Sequence, residues 1–330
     1  MRWSVIGASA IASGRMVDAI RATGGEIVSV QSTGQARATD FAAQHGIDHA
    51  VTDVAAAIDE ADAVYISSTN EKHFPQAMTA IAAGKHVLCE KPLAMTLTDA
   101  AAMVRAAEQA GVVLATNHHL RNAASHRAIR ALVAEGAIGE ILSARVFHAV
   151  NLPEALRGWR IDDPAAGGGV ILDIVVHDAD TIRFHLGEDP AEVVAIASAD
   201  RMGQGVEDSV MSVWRMPSGA LVQTHESFTH AHAGTGIELH GTTGSIIGRG
   251  VMTQAPVGQV LLRRGGEETP VPFEPEDLYQ HGLRAFNDAV AGRGRPAADG
   301  RDGLASLAIA LAVAEAARSG RRTTVDYGEI

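Results

Sequence analysis

A chain of 330 residues is long enough for two domains of about 150 residues each. Its formal net charge of -12 argues against a basic face for nucleic acid, and no apolar run approaches the roughly 20 residues of a membrane-spanning helix. Because Cys89 is the only cysteine, no internal disulfide can form. From the charge and the apolar runs we expect a small-molecule partner rather than a nucleic acid or a membrane.

The N-terminal sequence enters an apolar run at once and lacks the charged start, long apolar core and cleavage site of a signal peptide, so we expect a cytoplasmic protein. From there to about residue 120, short β-branched runs alternate with Ala-rich helical windows, which is typical of βαβ units around a parallel sheet. This α/β pattern predicts a Rossmann domain over residues 1–120, with strands at 3–6, 27–30, 63–67, 86–89 and 112–116.

Residues 121–330 predict a second domain, of the α+β class. A helix at 123–134, a strand at 141–150 and a helix at 170–186 come first. Short turns then separate six strands of a large open, mostly antiparallel sheet, at 193–198, 209–215, 220–228, 236–240, 245–248 and 260–263. Helices at 278–291 and 303–318 end the chain, and the pattern leaves open whether they pack back on the Rossmann domain. One apolar face of the sheet is covered either by helices or by a second copy of the chain, which would make a homo-oligomer.

The first predicted strand is followed by a turn of small residues, Gly7-Ala8-Ser9-Ala10-Ile11. Small side chains there let the backbone approach a pyrophosphate at the N-terminus of the next helix, where unpaired N–H groups favour negative charge. The turn is a variant of the glycine fingerprint, and the alternative is an ordinary strand-to-helix connection. Its place at the start of the first βαβ unit favours the nucleotide interpretation.

The end of the second predicted strand indicates which dinucleotide binds. NAD sites usually carry a carboxylate there, whereas this chain has Ser32 and Thr33, with Arg37 following one helical turn later. Two hydroxyls and a guanidinium suit the 2′-phosphate of NADP(H), which a carboxylate would repel. The alternative for Arg37 is a solvated helix arginine. Because the carboxylate is missing, we favour NADPH.

Three residues are candidates for the chemistry. Lys91 follows the strand at 86–89, at the sheet edge where ligands bind, and Asp173 and His177 are four residues apart on one face of a predicted helix. If the bound cofactor is NADPH, reduction of a carbonyl would need a hydride on carbon and a proton on oxygen. An imidazole titrates at about pH 6.5, so His177 is the candidate acid, and Lys91 is better suited as a fixed cation that polarises the carbonyl. Asp173 either anchors a substrate hydroxyl or orients His177.

Two neighbouring histidines, His118 and His119, come just after the strand predicted at 112–116. If they continue the end of that strand, its alternation would turn one of them toward the cleft. We assign His119 to the substrate. A metal site built from Asp173, His177 and Asp180 with one of these histidines is an alternative. Hydride transfer to a polarised ketone needs no metal, and the sequence has no HExxH or Cys-rich arrangement, so we expect none.

These motifs resemble those of the Gfo/Idh/MocA oxidoreductase family, in which the lysine of a Glu-Lys-Pro motif and an Asp-x-x-x-His pair flank the substrate beside the nicotinamide. The resemblance covers essentially the whole chain and is carried by GKHVLCEKPLAM at 84–95, TNHHLRN at 116–122, GWR at 158–160 and GGGVILDIVVHDAD at 167–180. It implies NADPH-dependent reduction of a sugar ketone, with 1,5-anhydro-D-fructose converted to 1,5-anhydro-D-mannitol.

The resemblance also implies a cofactor shell and a set of substrate contacts, matched position by position. Near the first helix, Ala10 and the Ser13-Gly14-Arg15 stretch depart from the family pattern. Trp159 is either a packing anchor or a wall over the nicotinamide. The implied substrate contacts are Lys91, His119, Asp173 and His177. The implied cofactor shell is Gly7, Ala8, Ser9, Ala10, Ile11, Ser32, Thr33, Arg37, Ser68, Thr69, Asn70, Glu71, His73, Glu90, Lys91, Asn117, Trp159, Arg160 and Tyr279.

Two other functions are compatible with the same residues. One is an NAD(P)-dependent dehydrogenase that oxidises an inositol or another polyol through Lys91, Asp173 and His177. The other is a non-catalytic NADP(H)-binding sugar sensor that uses the open sheet as an interface. The presence of Lys91 and His177 favours catalysis.

Overall fold

The computed structural model describes residues 1–328, which form two compact units. The first unit comprises Met1–His119, Tyr279–Leu304 and Gly328, and the second comprises Leu120–Leu278 and Ala305–Tyr327. The chain therefore returns to the first unit at Tyr279 and enters the second unit again at Ala305.

A parallel sheet of six strands forms the centre of the first unit. Its strands are β1 (Arg2–Ile6), β2 (Glu26–Gln31), β3 (His49–Val51), β4 (Ala63–Ile66), β5 (His86–Cys89) and β6 (Leu114–Thr116). They are arranged in the order β3-β2-β1-β4-β5-β6, so the winding direction reverses between β1 and β4. In doubly wound sheets, ligands bind at the carboxyl ends of the strands that flank this reversal.

Helices connect these strands as parallel pairing requires. They are a π-helical turn (Ala12–Met16), α1 (Val17–Ala22), α2 (Gln35–His45), α3 (Val54–Ile58), α4 (His73–Ala82) and α5 (Leu97–Ala110). Side-chain caps begin two of them: Asp53 accepts from the Ala56 amide at 2.8 Å, and Thr96 accepts from the Asp99 amide at 3.1 Å. The indole of Trp3 is fully buried and lies 5.2 Å from the ring of Phe286, which ties the returning segment to this core.

The second unit contains a sheet of nine strands. They are β7 (Ile141–Ala149), β8 (Glu192–Ser198), β9 (Ser209–Arg215), β10 (Leu221–Ser227), β11 (Gly236–Gly241), β12 (Ser245–Arg249), β13 (Gln259–Arg264), β14 (Glu267–Pro270) and β15 (Thr323–Thr324). Their order is β14-β13-β12-β11-β7-β10-β9-β8-β15, and every neighbouring pair is antiparallel except β7 and β10.

The helical segments that contact this sheet are α6 (Ala124–Ala134) and a π-helical turn (Ile171–Val175) that continues into α8 (Val176–Leu186). Further helices are the short α7 (Trp159–Asp162) and two C-terminal helices, α9 (Leu278–Val290) and α10 (Gly300–Ser319). Most of α9 belongs to the first unit and most of α10 to the second. Within residues 1–328, no helix combines the length and apolar character needed to cross a membrane.

The predicted fold class, a parallel Rossmann sheet followed by a mostly antiparallel sheet, is confirmed. The prediction missed β3, β14 and β15, because their side chains are exposed or half-buried and form no buried apolar run. It also treated 170–186 as one regular helix, whereas its first turn is a π-helix. π-turns inside helices are frequent at functional sites.

Candidate active site

The turn after β1 is shaped by a glycine. Gly7 has φ of +100°, and a Cβ on it would lie 2.6 Å from the backbone nitrogen of Ser68, in the turn after β4. The Ser67 hydroxyl donates to the Gly7 carbonyl at 3.0 Å, so the two turns are joined. Any side chain at position 7 would push the two turns apart. The backbone surface that they form together at the winding reversal would then be disrupted.

Ser9 supports the same turn. Its hydroxyl lies 2.8 Å from that of Ser67 and accepts the Ala12 amide at 3.1 Å, which caps the π-helical turn. The side chain that replaces the second glycine of the fingerprint is therefore occupied in holding the helix start. The backbone around Ala8 and Ala10 is left to approach a pyrophosphate, as the small-residue pattern predicts.

The residues predicted for the adenosine phosphate lie at the end of β2. Ser32 is buried, whereas Thr33 and Arg37 are exposed. The Arg37 Nε donates to the Ala8 carbonyl at 2.9 Å, which fixes the guanidinium against the turn after β1. The contact places Arg37 next to the turn after β1, while its role toward the 2′-phosphate stays a prediction.

Lys91 follows β5 at a cis bond to Pro92, and its neighbour Glu90 anchors the turn. The Glu90 carboxylate accepts the Tyr65 hydroxyl and the Asn117 amide, both at 2.6 Å. Burial raises the pKa of Glu90, while the two hydrogen bonds and the charge of Lys91 oppose that rise. A carboxylate beside the lysine thus balances its charge and joins three strand ends.

His73 supports the turn that carries Lys91. It is fully buried, with Nδ1 2.8 Å from the Pro92 carbonyl and Nε2 3.2 Å from the Ser68 carbonyl. Burial lowers the pKa of His73, so the ring is neutral and donates through one nitrogen only. Its geometry is that of a support linking the turns after β4 and β5. Among its neighbours, Thr69 donates to Glu71 at 2.7 Å, and Asn70 is buried.

The histidines after β6 do not follow strand alternation. β6 ends at Thr116, before both of them, and His118 and His119 are each buried. The alternation argument for His119 is therefore wrong. His119 instead faces the ring of Tyr279 at 5.5 Å between ring centres, which brings together two predicted site residues of the first unit.

In the second unit, Asp173 lies in the π-helical turn and His177 in the first turn of α8. The Arg160 Nε is 3.4 Å from the Asp173 carboxylate, and its guanidinium lies 4.6 Å from the centre of the half-buried Trp159 ring. His177 is buried, and its carbonyl accepts the Thr181 hydroxyl at 2.8 Å. Four residues of the predicted site are thus grouped at one helix start.

The sequence alone does not identify Glu207, whose side chain caps this helical segment from a distant loop. Glu207 accepts the Ile171 amide at 3.1 Å, and a Cβ on Gly169 would lie 2.3 Å from the same carboxylate. The Gly169 amide also donates to the Arg160 carbonyl at 2.8 Å. Gly167, Gly168 and Gly169 therefore allow close packing under the Asp173 turn. No sequence spacing relates Glu207 to that turn.

Within residues 1–328, no group of three or more histidine, cysteine, aspartate or glutamate side chains is arranged to hold a metal ion. The residues instead fit a dinucleotide. Gly7 brings the turns after β1 and β4 into contact, Ser9 caps the start of the next helix, and the hydroxyls of Ser32 and Thr33 follow β2 together with the Arg37 guanidinium. Together with a lysine beside a carboxylate at the next strand end, these features define an NAD(P)-dependent oxidoreductase with a Rossmann fold.

Comparisons with known proteins identify the family. Residues 1–118 match the family described as "Oxidoreductase family, NAD-binding Rossmann fold", and residues 126–247 match the GFO/IDH/MocA C-terminal domain. The chain belongs to the Gfo/Idh/MocA oxidoreductase family.

Several of its relatives are named for sugar substrates. The chain is 56% identical over 330 residues to a 1,5-anhydro-D-fructose reductase of Ensifer adhaerens, covering 99% of both chains. It is 27% identical to D-xylose 1-dehydrogenase (NADP(+)) 2 of Haloferax volcanii, covering 99% of this chain and 100% of the other. Among solved structures, the aldose-aldose oxidoreductase of Caulobacter crescentus superposes with a TM-score of 0.90 at 25% identity, over 98% of this chain and 99% of the other.

Proposed function

We propose that this enzyme reduces the ketone of a small sugar with NADPH, and that its substrate is 1,5-anhydro-D-fructose, which it converts to 1,5-anhydro-D-mannitol. The observation that carries the proposal is the 56% identity, over 99% of both chains, to a reductase named for this ketose. At that similarity, the residues that touch a small substrate are expected to be shared.

The preference for NADPH over NADH rests on the end of β2. Ser32 and Thr33 stand where an acidic residue would accept the ribose hydroxyls of NAD, and Arg37 is held by Ala8 beside them at 2.9 Å. The nearest acidic side chain along this helix is Asp40, one turn further on. A guanidinium in this position binds the 2′-phosphate by charge-assisted hydrogen bonds.

The remaining shell divides by role. We assign Gly7, Ala8, Ser9, Ala10 and Ile11 to the pyrophosphate turn, and Ser68, Thr69, Asn70, Glu71, Glu90, Asn117, Trp159, Arg160 and Tyr279 to the walls around the dinucleotide. His73 supports those walls rather than touching the cofactor, because it is fully buried between two backbone carbonyls. His119 lies against Tyr279 and is assigned to the substrate.

NADPH, when bound, supplies the hydride for the carbonyl carbon. Lys91 polarises the carbonyl oxygen and stabilises the negative charge that develops on it. His177 donates the proton to that oxygen as the alcohol forms. Asp173, held by Arg160, binds a substrate hydroxyl or orients His177. Glu90 precedes Lys91 and fixes this turn through its hydrogen bonds with Tyr65 and Asn117.

The test is NADPH oxidation with 1,5-anhydro-D-fructose, run beside NADH and a panel of sugars and polyols. Lys91→Ala and His177→Ala should each lower kcat by roughly 100-fold or more, the scale of a lost oxyanion donor or general acid. Lys85→Ala is the matched control, because Lys85 precedes the same strand and donates to the Asp59 carbonyl at 3.2 Å. Turnover of a polyol with NADP⁺ but none of the ketose would reject the reductase assignment.

We also propose that the open face of the second sheet binds a second copy of the chain. Val194 pairs with Val213, and Ile196 with Met211, on adjacent strands, with Ile196 81% and Met211 54% exposed. Within residues 1–328 these side chains are exposed, and large exposed apolar patches mark protein interfaces. Every copy carries the same flat row, so a two-fold axis pairs it with itself. Ile196→Asp should reduce the mass measured by light scattering, whereas Val257→Asp, at a site 55% exposed outside the sheet, should not. A wild-type chain that is monomeric at micromolar concentration would reject this assembly.

A further inference from the structure

A second histidine of the second unit lies next to the proposed acid, on a buried carboxyl pair. His148 on β7 and Glu226 on β10 are direct partners in the only parallel strand pair of this sheet within the described residues. Asp178 reaches them from α8, one residue after His177. Asp178 and Glu226 are both fully buried. A charged group in such a place needs a specific partner.

The hydrogen bonds assign a role to each carboxyl. The His148 Nδ1 is 2.8 Å from the Asp178 Oδ1. Burial and the nearby Asp178 both raise the pKa of Glu226 well above its ordinary value. Two neighbouring carboxylates that are shielded from water are costly to ionise together, so the pair is expected to share one proton. Glu226 is then the protonated member, and Asp178 is the carboxylate that accepts from His148.

The same arrangement brings the His148 ring near that of His177. The two ring centres are 6.4 Å apart. Nδ1 is committed to Asp178, so Nε2 is the ring nitrogen left for a second partner. Ring nitrogens turned toward each other across such a gap are roughly 4–5 Å apart, which two hydrogen bonds of about 2.8 Å meeting at one oxygen can span, so one water molecule or substrate hydroxyl can bridge the rings. His148 is also partly open to solvent, with 12% of its side chain exposed.

We propose that His148 is the proton-relay partner of His177, positioned by Asp178, with Glu226 as the neutral member of the carboxyl pair. This rests on the proposed function, in which His177 gives its proton to the carbonyl oxygen. His177 is then neutral, and the His148 imidazolium passes its Nε2 proton across the bridging hydroxyl or water to His177. His148 takes a replacement proton from solvent. One proton enters per carbonyl reduced, and only N–H and O–H bonds form or break.

Asp178 is the acidic side chain in direct contact with the His148 ring. The groups that face it are His177 and Asp178 from α8, Glu226 from β10 and His126 from α6. Other acidic groups on the same helical segment have cationic partners. Asp173 is 3.4 Å from Arg160, and Asp180 is 2.7 Å from Arg121. The negative charge of Asp178 is therefore the one directed at His148.

The experiment compares pH profiles of kcat for the wild type, His148→Gln, Asp178→Asn and Glu226→Gln. Loss of activity at alkaline pH reports deprotonation of the imidazole pair. Asp178→Asn removes the supporting charge and should shift this alkaline loss of activity to lower pH by about one unit or more. Glu226→Gln should leave the alkaline loss at the same pH, because glutamine mimics a protonated glutamate. His148→Gln should lower kcat about tenfold with little change in KM, and imidazole buffer should restore part of the rate.

A measurement without substrate separates this inference from the function itself. The ring nitrogens of His148 and His177 are titrated by NMR in the same proteins. In the wild type, neutral His148 should carry its proton on Nδ1, and Asp178→Asn should lower its titration midpoint while Glu226→Gln does not. An Nε2–H tautomer in the wild type, or equal shifts in both carboxyl variants, would overturn the relay even in a fully active enzyme. An inactive wild type with the expected ring titration would reject the proposed substrate and leave the cluster standing.

Discussion

Arg37 is the residue whose removal gives the sharpest test of cofactor choice. Its Nε donates to the Ala8 carbonyl at 2.9 Å, so the guanidinium is held against the turn after β1. Arg37→Ala removes the cation proposed to bind the 2′-phosphate. It leaves the strand, the turn backbone and the remaining donors in place.

The magnitude follows from the chemistry and the exposure. A hydrogen bond to a charged group contributes about 1.5–3 kcal/mol, and about 1.4 kcal/mol is a factor of ten in Kd. Because Arg37 is exposed, salt screens the interaction, and we expect the lower end of that range, about a tenfold loss of NADPH affinity at physiological salt. The loss should grow as ionic strength falls. NADH has no 2′-phosphate, so its Kd should change little.

The assay is a titration of each variant with NADPH and NADH, followed by calorimetry or by cofactor fluorescence. Arg21→Ala is the matched control, because Arg21 is an exposed arginine that also donates to a backbone carbonyl, that of His45. His45 lies eight residues beyond Arg37 on α2, about 12 Å along the helix. Equal losses for NADPH and NADH in Arg37→Ala would mean that Arg37 only holds the turn, and would refute the phosphate role.

Three further predictions concern stability and the turn geometry. Gly7→Ala places a Cβ 2.6 Å from the Ser68 nitrogen at φ of +100°, so it should lower Tm by several degrees and weaken both cofactors, whereas Gly14→Ala, with open space around it, should do neither. Tyr65→Phe removes one donor from the buried Glu90 carboxylate and should reduce the free energy of unfolding in urea by about 1–3 kcal/mol; an unchanged value would show that water replaces the hydroxyl. Burial lowers the pKa of His126 to about 4, so its contribution to stability is complete above pH 6.5 and is lost as the pH falls toward 4. That loss is up to about 3 kcal/mol, and His126→Gln should flatten the dependence of urea unfolding on pH; a variant as acid-sensitive as the wild type would assign the effect elsewhere.

The strands and helices of both units could be predicted wherever a periodic run was long enough. β5 and β9 were predicted with the ends that the structure shows. The parallel pairing of β7 with β10 could not be predicted, because short turns identify only strands that are neighbours along the chain. That pairing depends on packing between segments about 80 residues apart in sequence.

The candidate site shows the same division between local and distant information. Lys91, Asp173 and His177 are visible in short motifs, and Arg37 is visible because a carboxylate is missing nearby. The groups that support these four residues are not visible in the sequence. Glu207 caps the Asp173 turn from a distant loop, which no spacing rule relates to that turn. Such contacts exist only once the sheet is formed, so a single sequence contains no pattern for them.

The helical segment that carries the acid shows why spacing alone is a poor guide to partners. Asp173 is four residues from His177 and invites pairing with it, yet the structure places the Arg160 guanidinium 3.4 Å from Asp173. Asp178 is adjacent in sequence and would point elsewhere on a helix, yet it holds His148, whose ring lies 6.4 Å from that of His177. The charge that most directly supports a protonated imidazole at this site therefore reaches it through a second histidine on the sheet. The alkaline limit of turnover should then respond more strongly to Asp178→Asn than to Asp173→Asn, whose main effect should be on KM if Asp173 binds a substrate hydroxyl.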